Sequence, residues 1–418
     1  MENTKSLGPS FTRLWLAAAT SALGDGAFLA SVPLLAAKLT HDPMLIGAVG
    51  ATTVVPWFLF GLQAGALVDR WDRRKVMWRV DLARFLVVGL LAIGVFAGVV
   101  NIYLLIVAGF LLGVGQTFFD VSAQALIPAV VSRDPDALIR ANGRMTLALN
   151  NGERLIGPPL GSTMFSVTRG LPFVFDSVSF LFSALVIRAV PGDFSSGETT
   201  RRRLRTEIAE GLRWLWGHRV LRALALTAAV NNLVYSATIW LVVLLAQRKL
   251  GLGDVGYGLL LSTEAVGGLI GGAVVKKINS LISVSTIRVA GMIIEGICIG
   301  ALAFVSDPWM AGALIGSLGF CRCIIIVVTG TLRQRLVEPE MLGRVLSTSR
   351  MVSLAGMPFG GLLGGYLMRE YNIGTPFALG GILLIVTAFI SMPALSNHAI
   401  AKAENVPSLQ EQEDKTEV

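Results

Sequence analysis

Ionisable side chains interrupt several long apolar segments of this sequence, and they are the residues that could do chemistry. Seven of them lie well inside such segments: Asp25, Asp120, Glu153, Arg154, Glu264, Glu295 and Arg322. If the segments cross a lipid bilayer, each charge costs about 2.5–3.5 kcal/mol on insertion scales, so each needs a partner or a function. The three histidines all lie between or beyond the apolar segments. A proton relay through these segments would therefore have to use carboxylates.

The composition indicates which elements hold these residues. Hydrophobic residues make up 54% of the 418 residues and charged residues only 15%, with 46 glycines and a mean hydropathy of +0.69. A membrane-spanning helix needs about 20 apolar residues. Twelve windows of roughly this length occur, near 11–37, 44–68, 76–99, 101–127, 143–168, 171–190, 221–247, 254–276, 282–305, 308–332, 343–369 and 373–395. We therefore predict an all-α membrane protein with twelve transmembrane helices.

The basic residues are distributed unevenly between alternate connections. Connections on one side of the predicted membrane hold most of them, and those on the other side hold only Lys38, Arg169, Arg248, Lys249 and Arg369. By the positive-inside rule, both termini are cytoplasmic. No small-residue cleavage site follows the first apolar stretch, so we expect a retained first helix. The net charge of +8 thus reflects topology, and we expect no nucleic-acid partner.

The longest connection separates six predicted helices from six. We divide the chain into an N-terminal six-helix bundle at 1–190, a cytoplasmic linker at 191–220, a C-terminal six-helix bundle at 221–395 and a disordered cytoplasmic tail at 396–418. Within the linker, Leu204, Ile208, Leu212 and Leu215 recur at helical spacing between arginines. This pattern predicts an amphipathic helix that lies on the membrane surface.

The two halves share a pattern in equivalent helices. Three features recur at an offset of 200 positions: Gly143-Arg144 with Gly343-Arg344, Pro158 with Pro358, and Gly161 with Gly361. Their common order indicates a duplicated six-helix unit. Such repeats are the usual plan of transporters in which two halves rock around a central site.

A short charged loop follows the second predicted helix and reads GALVDRWDRRK over residues 65–75. It resembles the signature loop of the major facilitator superfamily, whose positions match Gly65, Asp69, Arg70, Arg73, Arg74 and Lys75. Asp72 stands where the family usually has glycine. The second-half copy of the loop is degraded, since Val275 stands at the position equivalent to Asp69.

The fifth helix carries Gly157-Pro158-Pro159-Leu160-Gly161, which is similar to a motif of drug antiporters that sugar symporters generally lack. With Gly24-Asp25-Gly26 and the stretches 142–144 and 171–173, it resembles the exporter branch of macrolide-efflux proteins and the enterobactin exporter. One position departs from that pattern. Many drug antiporters have an arginine in the fourth helix, where this chain reads Gly113-Val114-Gly115-Gln116. The resemblance implies a monomer in the bacterial inner membrane.

The charges inside the membrane supply the coupling and substrate candidates, and the resemblance implies that the first, fourth, seventh and tenth helices line a central cavity. The proton-coupling candidates are Asp25, Glu153 and Glu264. The substrate-binding candidates are Arg154, Arg322 and Asn231. The gating candidates are Gly65, Asp69, Arg70, Arg73, Arg74 and Asp120. The hinge candidates are Gly157, Pro158, Gly161 and Pro358.

Two of the cavity candidates have structural alternatives. Asp25 is a coupling residue or an aspartate that is hydrogen-bonded near a kink at Gly24–Gly26. Arg322 is a partner of Asp25, an anion-binding residue or one member of a stabilising pair. For Asn231 and Glu295, packing between helices is the favoured interpretation, and the helix of Glu295 is expected at the periphery.

The gating candidates carry more specific expectations. We expect Asp120 to pair with Arg73 or Arg74 as a latch near the cytoplasmic surface. We expect Gly65 to let two helices approach closely. Asp81 and Arg84 should lie near the same surface, where they pair with each other or extend to the lipid headgroups.

We therefore predict a proton-coupled exporter of an amphipathic small molecule, such as an antibiotic or a siderophore, that works by alternating access. Its expected partners are that compound, protons and the lipid bilayer, with no cofactor and no metal. The sequence has no metal-ligand cluster, nucleophile–base pair or phosphate-binding loop, which argues against an enzyme. Two alternatives remain open: a lysophospholipid or metabolite facilitator of the same fold, and a membrane-embedded sensor or assembly factor without transport.

Overall fold

The computed structural model describes residues 7–68, 70–131, 135–192, 194, 204–337 and 339–404. The first half contains helices α1 (Pro9–Leu39), α2 (Pro43–Val68), α3 (Arg73–Phe96), α4 (Ile102–Val130), α5 (Pro135–Asn150), α6 (Gly157–Val167) and α7 (Leu171–Arg188). The linker holds α8 (Leu204–Gly217). The second half contains α9 (Arg219–Ile239), α10 (Val242–Leu244), α11 (Asp254–Leu281), α12 (Val284–Leu302), α13 (Pro308–Leu336), α14 (Pro339–Leu354), α15 (Met357–Glu370), α16 (Thr375–Ser391) and α17 (Asn397–Glu404).

These helices account for twelve membrane crossings. Among the described residues, nine helical stretches are long and apolar enough to span a bilayer. α16 is apolar but has 17 residues, α3 carries several charged residues, and the fifth crossing is divided between α5 and α6. The prediction of an all-α membrane protein built from two six-helix bundles is confirmed.

Polar side chains set where two of the crossings begin. Asp72 accepts hydrogen bonds from the backbone amides of Arg74 and Lys75 at the start of α3. Asn101 accepts one from the amide of Leu104 at the start of α4. A helix start leaves amides without partners inside the helix, so these side chains fix its first turn.

Three crossings that we predicted as continuous helices are broken. The fifth passes through a π-helical turn at Asn151–Ile156 before α6 begins at Gly157, and the seventh has a second π-helical turn at Leu245–Lys249. The eleventh is divided between α14 and α15. Pro158 and Pro358 lie in the first turn of α6 and α15, where the missing amide hydrogen does no harm. The predicted windows at 143–168, 221–247 and 343–369 run through these breaks, so hydropathy alone did not reveal them.

The apolar core is continuous at one end of the molecule and divided at the other. One cluster contains buried residues of both halves, among them Val49 and Leu244, at the end of the molecule away from the termini. At the end that carries the termini, each half has its own cluster, around Phe11 in the first half and Leu336 in the second. We call these the closed end and the terminal end.

The linker and the tail both pack on the second half at the terminal end. In α8, Leu215 is fully buried, and the Glu210 carboxylate accepts a hydrogen bond from Arg344 of α14 at 2.9 Å. The prediction of disorder from residue 396 is wrong for α17, where Ile400 is buried in the same cluster as Leu215. Because the tail is mostly polar, its sequence did not indicate that Ile400 packs on the second half. Residues 405–418 lie outside the described part of the chain.

Candidate functional site

The first half holds a buried ion pair between two residues of α3. Arg84 Nη1 lies 3.5 Å from Asp81 Oδ1, and the two side chains are 3% and 0% exposed. Ser183 of α7 donates a 2.6 Å hydrogen bond to Asp81 Oδ2. The three-residue spacing puts both side chains on one helical face. The expectation that these two residues pair is met, but they lie in the protein interior rather than at a lipid surface.

Arg84 extends from α3 onto α4. Its guanidinium lies over the ring of Phe180 with 4.7 Å to the centroid. A Cβ at Gly115 would lie 3.0 Å from Arg84 Nε, so the glycine leaves room for this arginine. Arg84 donates a hydrogen bond to the side-chain oxygen of Gln116, whose Nε2 donates to Asp120 Oδ1 at 2.8 Å. Arg84 of α3 thus places its guanidinium beside Gly115 and Gln116 of α4.

The predicted pairing of Asp120 with Arg73 or Arg74 is not what the structure shows. Gln116 is the partner of the Asp120 carboxylate. Arg73 donates to the carbonyl of Ala125 at 3.3 Å, and Arg74 donates to that of Val190 at 2.6 Å. Both arginines thus donate to backbone carbonyls rather than to the Asp120 carboxylate.

The remaining gating candidates are Gly65, Asp69 and Arg70. A Cβ at Gly65 would meet no atom within 4 Å, so the expected close approach of two helices at this glycine is wrong. Arg70 is exposed to solvent. Asp69 lies outside the described residues. Asp72, which replaces the usual glycine of the motif, acts as the cap of α3 and forms an ion pair with Lys75 at 3.3 Å.

Asp25 is half-buried in the middle of α1, and among the described residues its carboxylate accepts one hydrogen bond, from Ser21 Oγ at 3.5 Å. α1 continues through Gly24 and Gly26, so the expected kink is not seen. The two glycines instead permit close packing. A Cβ at Gly24 would lie 2.5 Å from Asp176 Oδ1 of α7, and one at Gly26 would lie 2.5 Å from the Glu153 carbonyl oxygen.

Asp176 is a charged residue of the interior that the sequence analysis missed. It is 1% exposed, and Ser179 Oγ donates to its Oδ1 at 3.4 Å. The rule that singled out Asp25 also applies here, since α7 is otherwise apolar and Asp176 is its one carboxylate before Arg188. The signal was therefore present in the sequence.

The second half holds an ion pair that joins two helices. Arg322 Nη1 of α13 lies 2.6 Å from Glu264 Oε1 of α11, and both side chains are 16% exposed. The Arg322 guanidinium also lies over the ring of Tyr235, 3.9 Å from its centroid. The partner of Arg322 is therefore Glu264, and not Asp25. Arg154 of the first half is exposed and interacts electrostatically with Tyr235 and Glu264, so it points into the space between the halves.

A second polar group of this half lies deeper in the protein. Asn231 Nδ2 donates a 2.5 Å hydrogen bond to Glu295, which is 1% exposed. On the same helix as Glu295, the buried Arg288 donates to Thr227 Oγ1 at 2.7 Å. These contacts connect α9 to α12, in agreement with the packing interpretation of Asn231 and Glu295.

The hinge candidates lie where α6 meets its neighbours. A Cβ at Gly157 would lie 2.6 Å from Gly26 Cα, and one at Gly161 would lie 2.5 Å from Ala27 Cα, so α6 packs directly on α1. On its other side the Pro158 carbonyl would lie 2.7 Å from a Cβ at Gly258 of α11. These glycines therefore allow α6 to pack closely on α1 of its own half and on α11 of the other half. Pro358 is half-buried at the start of α15.

The two halves meet mainly at the closed end. A Cβ at Gly361 of α15 would lie 2.7 Å from the carbonyl oxygen of Gly47 of α2. Arg369 and Asp42 form an exposed ion pair at 3.3 Å at the same end. Further towards the middle of α2, Arg350 of α14 lies over the Trp57 ring at 4.5 Å. The halves are thus joined at the end where the apolar core is continuous, whereas the core is divided at the terminal end.

Solved structures share this fold. A bacterial homologue of the human lysosomal transporter Spinster, in an inward-facing unoccupied conformation, superposes with a TM-score of 0.76 at 14% identity, covering 97% of this chain and 100% of that one. A bacterial homologue of the iron transporter ferroportin, also inward-facing, has a TM-score of 0.73 at 17% identity, covering 96% and 100%. These likenesses show that the chain has the fold of these multi-pass membrane proteins.

A family match and related sequences show which family the chain belongs to. Residues 7–417 match the transmembrane secretion effector family, and the chain belongs to that family of the major facilitator superfamily. The multidrug efflux pump Tap of Mycobacterium tuberculosis is 26% identical over 96% of this chain and 97% of its own length. Macrolide efflux protein A of Streptococcus pyogenes is 22% identical over 93% and 97%. The resemblance to the drug-efflux branch is thereby confirmed, and the bacterial relatives imply the inner membrane.

Proposed function

We propose that this transporter is a proton-coupled exporter of amphipathic small molecules that works by alternating access. The observation that carries the proposal is the charge balance inside the first half. Asp25, Asp81, Asp120 and Asp176 all interact electrostatically with Arg84. Four carboxylates around one arginine cannot all be ionised cheaply in an apolar bundle, so protons must balance part of the charge.

The division of the apolar core supports alternating access. With both termini in the cytoplasm, the terminal end opens towards the cytoplasm and the closed end seals the outer side. Substrate would then enter from the cytoplasm or the inner leaflet. Contacts such as Gly47 with Gly361 would open in the other state, while the separate clusters at the terminal end come together.

The substrate would lie between the halves, next to groups of both. Arg154 comes from the first half, whereas Arg322 and Tyr235 come from the second, so one bound molecule can contact both. An aromatic ring beside charged groups suits a compound with apolar and polar faces. The names of the relatives, multidrug and macrolide efflux, support this class. Asn231 is bound to Glu295, and we leave it out of the substrate site.

A flux assay tests the proposal. We would reconstitute the full chain in liposomes with an imposed pH gradient and follow internal pH with a trapped dye while adding ethidium or erythromycin. Protein-free liposomes report the passive effect of each compound. We expect the protein to dissipate the gradient faster when a compound is present. Asp25→Asn should abolish that response, because it removes a carboxylate from the cavity.

The control variant is Glu370→Gln, which makes the same chemical change at an exposed position of the closed end. It should couple as the wild type does. Compound movement without proton flux would indicate a facilitator and contradict proton coupling. Binding without movement of any compound would indicate a sensor. Normal coupling in Asp25→Asn would show that this carboxylate is not the coupling residue.

A further inference from the structure

Asp176 lies in the interior of the first half, and no charged residue of its own helix, α7, forms an ion pair with it. Ser179 Oγ donates to the Asp176 backbone carbonyl at 2.8 Å and lies 3.4 Å from Asp176 Oδ1, whereas Asp176 Oδ2 is buried without a hydrogen-bond partner among the described residues. A buried carboxylate oxygen without a partner is destabilising, and an attached proton or a nearby donor removes the penalty. The orphaned Oδ2 therefore marks a position for a proton.

A second carboxylate lies one residue from the contact that Asp176 makes with α1. Asp176 Oδ1 packs against Gly24, and Asp25 is the next residue of α1. Asp25 and Asp176 interact electrostatically with each other. Asp25 is half-buried and Asp176 is almost fully buried, so Asp25 is the member that a proton from the space between the halves reaches first.

The other charges nearby do not neutralise this pair. Arg84 forms its ion pair with Asp81 and its hydrogen bond with Gln116, and Gln116 bonds to Asp120. Asp81 and Asp120, on α3 and α4, and Glu153, on the π-helical turn, face Asp25 as further negative groups. When like charges share an apolar site, one of them keeps a proton.

We propose that Asp25 and Asp176 form a carboxylate pair that holds one proton between α1 and α7. The inference rests on the proposed export function for its role in transport, and on the contacts above for the site itself. The pair gains a proton when the space between the halves is exposed to the more acidic side and loses it on the other side. Asp176 is the inner member, and Ser179 positions it.

Infrared spectroscopy of the purified full chain tests the site without a substrate. The carbonyl stretch of a protonated carboxyl group is followed as a function of pH in the wild type, Asp176→Asn, Asp25→Asn and Ser177→Ala. Ser177 is the matched control, because it is buried on the same helix but donates to the Phe85 carbonyl at 3.0 Å. We expect each Asp→Asn change to alter the titration of the carboxyl group that remains, and Ser177→Ala to leave the wild-type titration.

Two independent protons would overturn the proposal. In that case Asp176→Asn removes one band and leaves the Asp25 band where it was. Ser179→Ala keeps the test valid if Asp176→Asn does not fold, because it removes the hydrogen bond to Asp176 and retains both carboxylates. We expect Ser179→Ala to shift the shared band, and an unchanged band would contradict the pair.

The liposome assay then separates this inference from the proposed function. We expect Asp176→Asn to lose ethidium-driven proton flux while exchange of ethidium across the membrane continues. If the wild type moves no protons but the infrared pair is present, export coupling fails and the site stands. If the wild type moves protons and Asp176→Asn moves them equally well, the site inference fails.

Discussion

Arg84 contacts several side chains of the first half at the same time. It is paired with Asp81, stacked on Phe180 and hydrogen-bonded to Gln116, and through Gln116 it reaches Asp120. Stacking and hydrogen bonding at once need the planar guanidinium, which lysine cannot replace. At the scale of the residue, this arginine positions the carboxylates that the transporter would use.

Removing Arg84 should destabilise the protein strongly. Arg84→Gln leaves Asp81 buried without its cation, and breaking a buried pair on one side costs about 3–5 kcal/mol. We expect a large fall in the melting temperature of the detergent-solubilised protein. The double variant Asp81→Asn/Arg84→Gln should recover part of that loss, because no lone charge remains.

Arg79→Gln is the matched control for this prediction. Arg79 is exposed on the same helix, and its guanidinium lies 5.4 Å from the centroid of the Trp78 ring. Such an exposed contact contributes about 0.5–1 kcal/mol, so the melting temperature should change little. An equal loss in Arg79→Gln and Arg84→Gln would show that the buried pair is not the source of the stability.

At the scale of the element, apolar length and repeated glycines predicted the twelve crossings, and the structure confirms them. The interior partners were harder to predict. The spacing of Asp81 and Arg84 predicts that they share a face, but only the packing of α3 on α4 and α7 shows that this face is buried. Gly24 suggested a kink, although its lack of a side chain serves close packing on Asp176. The sequence shows where the small residues are, but it does not show which neighbouring side chain packs into the space that each of them leaves.

The contact of α2 with α15 makes a prediction about the closed end. In Gly361→Val the new side chain would crowd the Gly47 carbonyl, which lies 2.7 Å from an ideal Cβ. We expect the closed end to separate. Spin labels at the exposed positions Lys38 and Arg248, one in each half at this end, should report longer distances.

Gly330→Val is the control, because a Cβ at Gly330 of α13 meets no atom within 4 Å. The same loss of a helical glycine should leave the label distances as in the wild type. Unchanged distances in Gly361→Val would mean that the backbones shift elsewhere and that this contact does not hold the two halves together.

At the scale of the whole molecule, the proposed alternation between two states would depend on contacts that form only in one of them. The Arg369–Asp42 pair is one such contact, with side chains 52% and 30% exposed. Exposed pairs contribute about 0–1 kcal/mol and are weakened by salt. Apolar packing across the closed end therefore stabilises this state more than the ion pair does.

Asp42→Asn should accordingly shift the state populations only modestly. An upper limit of about 1 kcal/mol corresponds to roughly a fivefold change in the ratio of closed to separated label pairs. The same spin labels at Lys38 and Arg248 measure that ratio, and high salt should make wild type and variant alike. A complete shift to the separated state would show that the ion pair, and not the apolar core, keeps this end closed.

The continuous core at the closed end also bears on how this protein should be handled in the laboratory. If the transporter alternates between two states as proposed, a substitution that fills or tightens that core raises the melting temperature by favouring the state that contains it. A screen for heat-resistant variants would therefore collect molecules that no longer cycle. Such variants are good reagents for raising state-specific antibodies and poor ones for measuring turnover, and the two purposes call for separate libraries.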